Sequence, residues 1–314
     1  MEKEMNGGDT GDIQTYCRGE LLAFLLRKRA WEVKRSPTEL GYRVMPGWEQ
    51  LPEGQALGRV AGVAADSADR IYVFHRGKDA PPLLCFDSEG KCLSSWSHMS
   101  FRQPHMVHCD SDDNVWLIDD GAHVIYKLSP EGEILFTLGV KGVSGEDGTH
   151  FNRPTDIAFN AQGEMYVADG YENKRIAKFD PQGNFISQWG SLGDGPGQFA
   201  LPHAISVDEV GLVYVADRAN WQIQIFDPDG TFVERWAHIG RPSDLVHADG
   251  GFYVCDGPSG RVTRVSMSGE VIGFFGKAGN DPGQMGAAHS ITYLSNSDII
   301  VGHLDGRLQK FTRR

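Results

Sequence analysis

From about residue 41 to the end of the chain, apolar and polar residues alternate in short runs, which is typical of β-strands in a sheet. Each unit of this pattern has a short opening strand, a turn, a second apolar strand, and a third strand that ends in a tight turn. The second strands are predicted at 71–74, 115–118, 165–168, 213–216, 252–255 and 299–302. The tight turns, at 87–90, 129–132, 180–183, 227–230 and 266–269, begin with Asp or Ser and end with Gly, as type I turns favour.

A large apolar residue stands six positions after each turn glycine and predicts a fourth strand. These residues are Trp96, Leu138, Trp189, Trp236 and Phe275. The opening strands recur at intervals of 40 to 50 residues. Four short antiparallel strands with this period are typical of a propeller blade. Six units therefore predict an all-β protein, a six-bladed β-propeller of the NHL type.

The ends of the chain predict how the ring closes. The sixth unit stops at Arg314 after three strands, which would leave a sheet edge open. Residues 41–45, just ahead of blade one, are expected to supply the missing strand, so the propeller domain is predicted at 41–314. Residues 1–40 are predicted to be an N-terminal extension, partly disordered, with one helix at 19–35 where leucines recur at helical spacing.

The first position of each opening strand carries the candidate metal site. From blade one to blade six these positions hold Ala61, His105, Thr155, His203, Ser243 and His289. Because opening strands line the central channel and alternate blades lie about 120° apart, the three histidines should face one another. Three imidazoles with a fourth position open are the ligand set of a catalytic zinc site. A single Pro-His pair could simply begin a strand, but strict alternation favours a metal site.

The ends of the second strands should lie beside the histidines, because antiparallel pairing brings the end of each second strand and the start of each inner strand to the same mouth of the central channel. Arg76, Tyr171 and Arg218 are predicted there. Arginine binds carboxylates through paired hydrogen bonds, and a phenol can act as a base where nearby positive charge lowers its pKa. The alternative is that both arginines form ordinary surface ion pairs.

Composition narrows the function classes. A formal net charge of −12 argues against nucleic acid as a partner. Five cysteines without paired spacing favour a reducing compartment over a disulfide framework. No signal peptide and no run of ~20 apolar residues is evident, so a cytoplasmic protein is expected. Nothing in the sequence predicts an oligomeric state.

Taken together, these motifs resemble the peptidyl-α-hydroxyglycine α-amidating lyases, zinc-dependent six-bladed propellers of the NHL-repeat type. The resemblance covers roughly residues 41–313. It is carried by Phe-His-Arg-Gly at 74–77, Gln-Pro-His at 103–105, Arg-Pro-Thr-Asp at 153–156, Asp-Gly-Tyr at 169–171, Pro-His at 202–203, Ala-Asp-Arg at 216–218, and His289.

The resemblance implies a carbon–nitrogen lyase that cleaves a carbinolamide into an amide and glyoxylate. The substrate would be a small-molecule or peptidic α-hydroxy carboxylate. By the same resemblance the three histidines hold zinc, the tyrosine is the base, and the arginines hold or polarise the substrate. The matching residues are His105, His203, His289, Tyr171, Arg76 and Arg218.

The resemblance also raises the question of calcium. Its backbone ligands would be the carbonyls of Val63 and Val107, but Ser290 stands where the family has an acidic ligand. Carbonyl groups alone make a poor calcium cage, which argues against a calcium ion here.

Two other functions fit the sequence less well. A metal-dependent hydrolase of the lactonase or esterase type is expected to have a carboxylate-rich axial site, whereas the axial positions here hold histidines. A non-enzymatic NHL scaffold predicts unrelated residues in the six opening positions and a basic or aromatic patch on the rim, and neither is evident.

Overall fold

The computed structural model describes residues 38–313, and the predicted six-bladed propeller with four-stranded antiparallel blades is confirmed. The inner strands, from blade one to blade six, are Val60–Ala65, Pro104–Cys109, Asp156–Phe159, Pro202–Val207, Asp244–Ala248 and Ala288–Tyr293. The second strands are Ile71–His75, Val115–Asp119, Met165–Asp169, Val213–Asp217, Gly251–Asp256 and Ile299–His303. Short 3-10 helices, Asp120–Ala122 and Arg218–Asn220, follow the second strands of blades two and four.

The outer half of each blade completes its sheet. The third strands are Leu83–Phe86, Val124–Leu128, Arg175–Phe179, Gln222–Phe226, Arg261–Ser266 and Leu308–Arg313. The fourth strands of blades one to five are Cys92–Trp96, Ile134–Leu138, Phe185–Trp189, Phe232–Trp236 and Val271–Phe275. No helix among the described residues is long and apolar enough to cross a bilayer.

The ring closes as the sequence predicts. Tyr42–Met45 pairs antiparallel with Leu308–Arg313 and becomes the fourth strand of blade six. Blade one also contacts blade six directly, since Asp69 accepts a hydrogen bond from Ser295 N at 2.9 Å. Blade six is therefore built from both ends of the propeller.

The propeller belongs to one compact unit, Pro37–Arg314. Within this unit, Thr38–Glu39 pairs in parallel with Val271–Phe275 as a fifth strand of blade five. The helix predicted at 19–35 lies outside the described residues.

The core sits between neighbouring blades, and one repeated contact joins a turn glycine to the aromatic residue of the preceding blade. Gly132 has a φ of +94°, and a Cβ there would lie 1.8 Å from Nε1 of Trp96 in the preceding blade. Gly269 meets Trp236 in the same way, with a Cβ position 2.5 Å from Nε1. Only glycine satisfies both the left-handed backbone and the close approach. The turn of one blade thus packs against the aromatic residue of the preceding blade.

Ring closure makes Tyr42 a key residue for stability. Its ring stacks on Phe275 with 4.6 Å between ring centroids, and its hydroxyl donates to Ser297 O at 3.2 Å. We expect Tyr42→Ala to lower the free energy of unfolding by about 2 kcal/mol, measured by urea denaturation, because a half-buried aromatic contact is lost. The neighbouring outward-facing change Arg43→Ala should cost less than about 0.5 kcal/mol. Equal losses in both variants would contradict the role of this strand as a packed closure.

Candidate metal centre

The three predicted histidines lie where the inner strands are irregular. The pairing register with the second strand shifts between Pro104 and Val107 and between Pro202 and Ala204. In blade six the shift lies between Ala288 and Ser290. A β-bulge re-aims the side chain that it carries, and here each shift contains one histidine.

The structure brings His105, His203 and His289 together. One nitrogen from each ring lies within 4.8 Å of the other two, and the ring centroids are 4.9 to 5.2 Å apart. All three side chains are buried. Among residues 38–313, these three histidines form the group of histidine, cysteine or acidic side chains that lies close enough together to bind one metal ion.

Each imidazole is oriented by a backbone carbonyl in the next blade. Nδ1 of His105 donates to Thr155 O at 2.6 Å, Nδ1 of His203 to Ser243 O at 2.6 Å, and Nδ1 of His289 to Ala61 O at 2.7 Å. A carbonyl oxygen only accepts, so Nδ1 carries the proton and the Nε2 lone pair is left for a metal. The small residues in the odd-numbered blades therefore supply the orienting acceptors, a role that the sequence reasoning missed.

Burial and nearby cations keep the three rings neutral. Desolvation lowers the pKa of His105 and His203 well below the usual value, and it lowers that of His289 to about 3. The charge of Arg218 lowers all three pKa values further, and that of Arg76 lowers those of His105 and His289. Neutral imidazole is the form that binds zinc, so the donor set fits the metal.

Buried acids at the ends of the second strands hold the loops that lead into the histidine strands. Asp119 accepts hydrogen bonds from the backbone of Arg102 and Gln103, both at 2.8 Å. Asp217 accepts from Ala200 N at 3.0 Å and Leu201 N at 2.9 Å. The histidines are therefore positioned by their own strand and by the strand beside it.

Blade one has a histidine in the place of these acids. Nδ1 of His75 accepts from Gly58 N at 3.2 Å and Gly77 N at 2.9 Å, and its Nε2 donates to Pro81 O at 2.8 Å. This arrangement fixes the backbone on both sides of Arg76. Nε of Arg76 donates to Pro104 O at 2.7 Å, directly before His105.

The other predicted residues lie at the same mouth. The hydroxyl of Tyr171 is 3.0 Å from Nε2 of His105 and 3.5 Å from Nε2 of His203. Arg218 is buried in its 3-10 helix, with its backbone N bonded to Leu201 O at 2.9 Å. Three imidazoles, a phenol and two guanidiniums thus form a cationic site suited to an anionic ligand.

Sequence reasoning missed Asp120, which directly follows the second strand of blade two as Arg76 and Arg218 follow theirs. Asp120 is buried, and desolvation raises the pKa of its carboxyl to about 6, against the lowering effects of Arg153 and Arg76. Comparing the residue after each second strand would have found it. Arg153, whose guanidinium carbon lies 4.5 Å from the centroid of the Tyr171 ring, gave no signal beyond its motif.

A two-residue period along the strand would turn His108, three residues after His105, away from the channel, but the strand does not keep that period. The register shift between Pro104 and Val107 breaks the alternation of faces, and Nε2 of His108 contacts the buried Asp156 of blade three. Asp156 raises the pKa of His108, and burial beside Asp156 raises that of Asp244. A second group of charges therefore lies among the inner strands.

The residues considered for calcium are buried in the same region. Val63 and Val107 lie on the inner strands of blades one and two. Ser290 is buried, and within the described part of the chain its hydroxyl has no hydrogen-bond partner. Ser290 offers a neutral oxygen in place of a carboxylate, so the prediction against calcium still rests on the kinds of ligand atom at this position.

The lowered histidine pKa values predict a pH dependence of stability in metal-free protein. Below a pKa of about 6.5 the unfolded chain takes up protons that the folded site does not, so stability falls as the pH falls. Each such histidine lowers the free energy of unfolding by about 1.4 kcal/mol between pH 7.5 and 5.5. Urea unfolding with a chelator should therefore show a smaller pH effect for His203→Gln than for the wild type.

His238→Gln, at an exposed histidine, is the matched control and should keep the wild-type pH effect. If His203→Gln and the wild type lost the same free energy between the two pH values, the buried neutral state of His203 would be contradicted.

Comparisons with known proteins agree with this fold. A family model described as a 6-bladed beta-propeller matches residues 146–256. A solved structure of streptogramin B lyase superimposes on 88% of this chain and 100% of its own, with a TM-score of 0.61 and 12% identity, which supports the fold alone.

Curated relatives are closer in sequence. A probable peptidyl-alpha-hydroxyglycine alpha-amidating lyase of Caenorhabditis elegans is 32% identical over 54% of this chain and 55% of its own. Human NHL repeat-containing protein 3 is 31% identical over 64% and 61%. Mouse peptidyl-glycine alpha-amidating monooxygenase is 36% identical over 57% of this chain but 21% of its own.

The match thus spans little more than half of the worm and human relatives and about a fifth of the mouse protein. The resemblance predicted from the motifs is confirmed at the level of homology: this chain is a six-bladed β-propeller whose homologues include the peptidyl-α-hydroxyglycine α-amidating lyases and NHL repeat-containing protein 3.

Proposed function

We propose that this protein is a zinc-dependent carbon–nitrogen lyase that cleaves an N-acyl-α-hydroxyglycine into an amide and glyoxylate. The observation that carries the proposal is the hydroxyl of Tyr171, which lies 3.0 Å from Nε2 of His105 and 3.5 Å from Nε2 of His203. A proton acceptor beside a metal-type donor set, with two arginines near it, suits a substrate that has both a hydroxyl and a carboxylate.

His105, His203 and His289 would hold the metal through Nε2, since each Nδ1 is bound to a carbonyl. Zinc supplies Lewis acidity, which lowers the pKa of a neighbouring hydroxyl group. Two of the three ligand rings contact the hydroxyl of Tyr171, so that group would be within reach of the reacting hydroxyl.

Arg76 and Arg218 would bind the carboxylate of the substrate. Arg76 is bonded to Pro104 O and the backbone N of Arg218 to Leu201 O, both just before a site histidine. Both guanidinium charges lower the pKa of His105 and His289. Nε of Arg76 is held by Pro104 O, which leaves the outer nitrogens of its guanidinium for a ligand. Paired hydrogen bonds from arginine would fix the orientation of the α-carbon relative to Tyr171.

In the proposed reaction, one residue both accepts and returns the proton. Tyr171 in its anionic form takes the proton of the α-hydroxyl, the carbon–oxygen bond becomes a carbonyl, and the carbon–nitrogen bond breaks with its electron pair on nitrogen. Tyr171 then returns the proton to the amide nitrogen. The products are the amide and glyoxylate, and no other reactant is consumed.

Metal content tests the donor set. Purified protein is expected to bind about one zinc per chain, and His203→Ala should lose it because two imidazoles remain. His247→Ala, a half-buried histidine near the other end of the inner strand of blade five, should keep the metal. A protein that takes up no zinc even after incubation with it would overturn the proposal.

Activity tests the reaction. With an N-acyl-α-hydroxyglycine as substrate, the wild type should release glyoxylate. Tyr171→Phe should lower kcat by about 100-fold or more, because the proton acceptor is lost, while its zinc content stays the same. Tyr293→Phe, at the far end of the inner strand of blade six, is the control and should keep kcat. Full activity in Tyr171→Phe would exclude the assigned role of this residue.

A further inference from the structure

Arg153 is held in an unusual backbone conformation beside Tyr171. Its φ is +61°, in the left-handed region that residues other than glycine rarely occupy. Its backbone N donates to Nδ1 of His123 at 3.1 Å, and its carbonyl accepts from Tyr171 N at 3.3 Å. Such conformations persist where surrounding contacts impose them, and they cluster at functional sites.

The side chain of Arg153 returns to the same tyrosine. Its guanidinium carbon lies 4.5 Å from the centroid of the Tyr171 ring, the geometry of a cation–π contact. Arg153 therefore holds Tyr171 twice, at the backbone and at the ring. The guanidinium of Arg153 covers one face of the Tyr171 ring, while the hydroxyl at the end of the ring lies near two of the site histidines.

Two carboxylates anchor the guanidinium from the other side. One nitrogen lies 3.5 Å from Oδ2 of Asp120, and the other lies 3.9 Å from Oε1 of Glu172. Asp120 is itself fixed, since the side-chain amide of Gln103 donates to the same Oδ2 at 3.3 Å. Because Asp120 is buried while Glu172 is exposed, Asp120 is the rigid anchor.

We propose that Arg153, anchored by Asp120, is a positioning residue that fixes the ring of Tyr171 so that its hydroxyl stays between His105 and His203. The catalytic meaning of this role rests on the proposed function, whereas the arrangement itself does not.

The anchor is charged at neutral pH. Burial and the neighbouring Asp119 raise the pKa of Asp120 to about 6, and the cations Arg153 and Arg76 act in the opposite direction. Above this pH the carboxylate attracts the guanidinium in a buried setting, where ion pairs are screened less than at the surface.

The ring of Tyr171 can be observed without any substrate. In the full chain with ¹³C-ring-labelled tyrosine, the NMR signal of Tyr171 is the one that Tyr171→Phe removes. Arg153→Gln should shift this signal and speed the ring motion, since the covering cation is lost. Arg153→Lys, which keeps a cation, should restore part of the wild-type shift.

Arg241→Gln is a matched control, because Arg241 precedes Pro242 and Ser243 in blade five as Arg153 precedes Pro154 and Thr155 in blade three. It should leave the Tyr171 signal unchanged. Asp120→Asn should move the signal in the same direction as Arg153→Gln, and it provides a second variant if the first does not fold.

Kinetics test the catalytic consequence. Arg153→Gln should lower kcat by about 10-fold, with less than a twofold change in KM, since a misplaced catalytic group slows chemistry more than binding. In a Tyr171→Phe background the same change should have no further effect on kcat. A full additional 10-fold loss there would mean that Arg153 acts on the substrate directly, and it would overturn the positioning role.

The two proposals can fail separately. If the wild type released no glyoxylate, the proposed function would fail while the NMR comparison still decided whether Arg153 positions Tyr171. If glyoxylate were released and the Tyr171 signal were the same in Arg153→Gln and the wild type, the positioning role would be wrong and the lyase function would stand.

Discussion

The hydrogen bond from Nδ1 of each site histidine to a carbonyl of the next blade is the interaction on which the candidate site depends. It selects the tautomer, sets the direction of Nε2, and crosses from one blade to its neighbour. A bond of this kind can form only where the inner strands of neighbouring blades lie side by side in a fixed relative position. The His289 bond reaches Ala61 O, so it also joins the last blade to the first. Ring closure and site geometry are therefore one constraint.

Several buried acids stabilise the scaffold of this protein, while two arginines lie at the mouth. The chain has a formal net charge of −12, yet the mouth gathers Arg76 and Arg218 around neutral imidazoles. Buried acids such as Asp119 and Asp217 accept backbone hydrogen bonds from the loops that precede the histidines. These bonds compensate the carboxylates for lost hydration.

The mouth also shows how a repeat acquires asymmetry. Equivalent positions after the second strands hold Arg76, Asp120 and Arg218 in blades one, two and four, while blade three has Gly170 followed by Tyr171. Because the blades share one backbone geometry, these side chains all lie at the same mouth, although their residue types differ. Arg153 links two of these blades by contacting both Asp120 and Tyr171. A fixed frame with variable side chains at its mouth is how one fold supports different chemistries.

The sequence by itself determined the strand period, the number of blades, the closing strand at Tyr42–Met45 and the alternation of the three histidines, because each depends on local spacing or residue type. Only the tertiary structure decided the rest. The carbonyl partners of the histidines are backbone atoms and have no residue signature. The register shift that turns His108 toward Asp156 defeats simple alternation. Arg153, Asp120 and Tyr171 come from separate loops, and packing between blades brings them together.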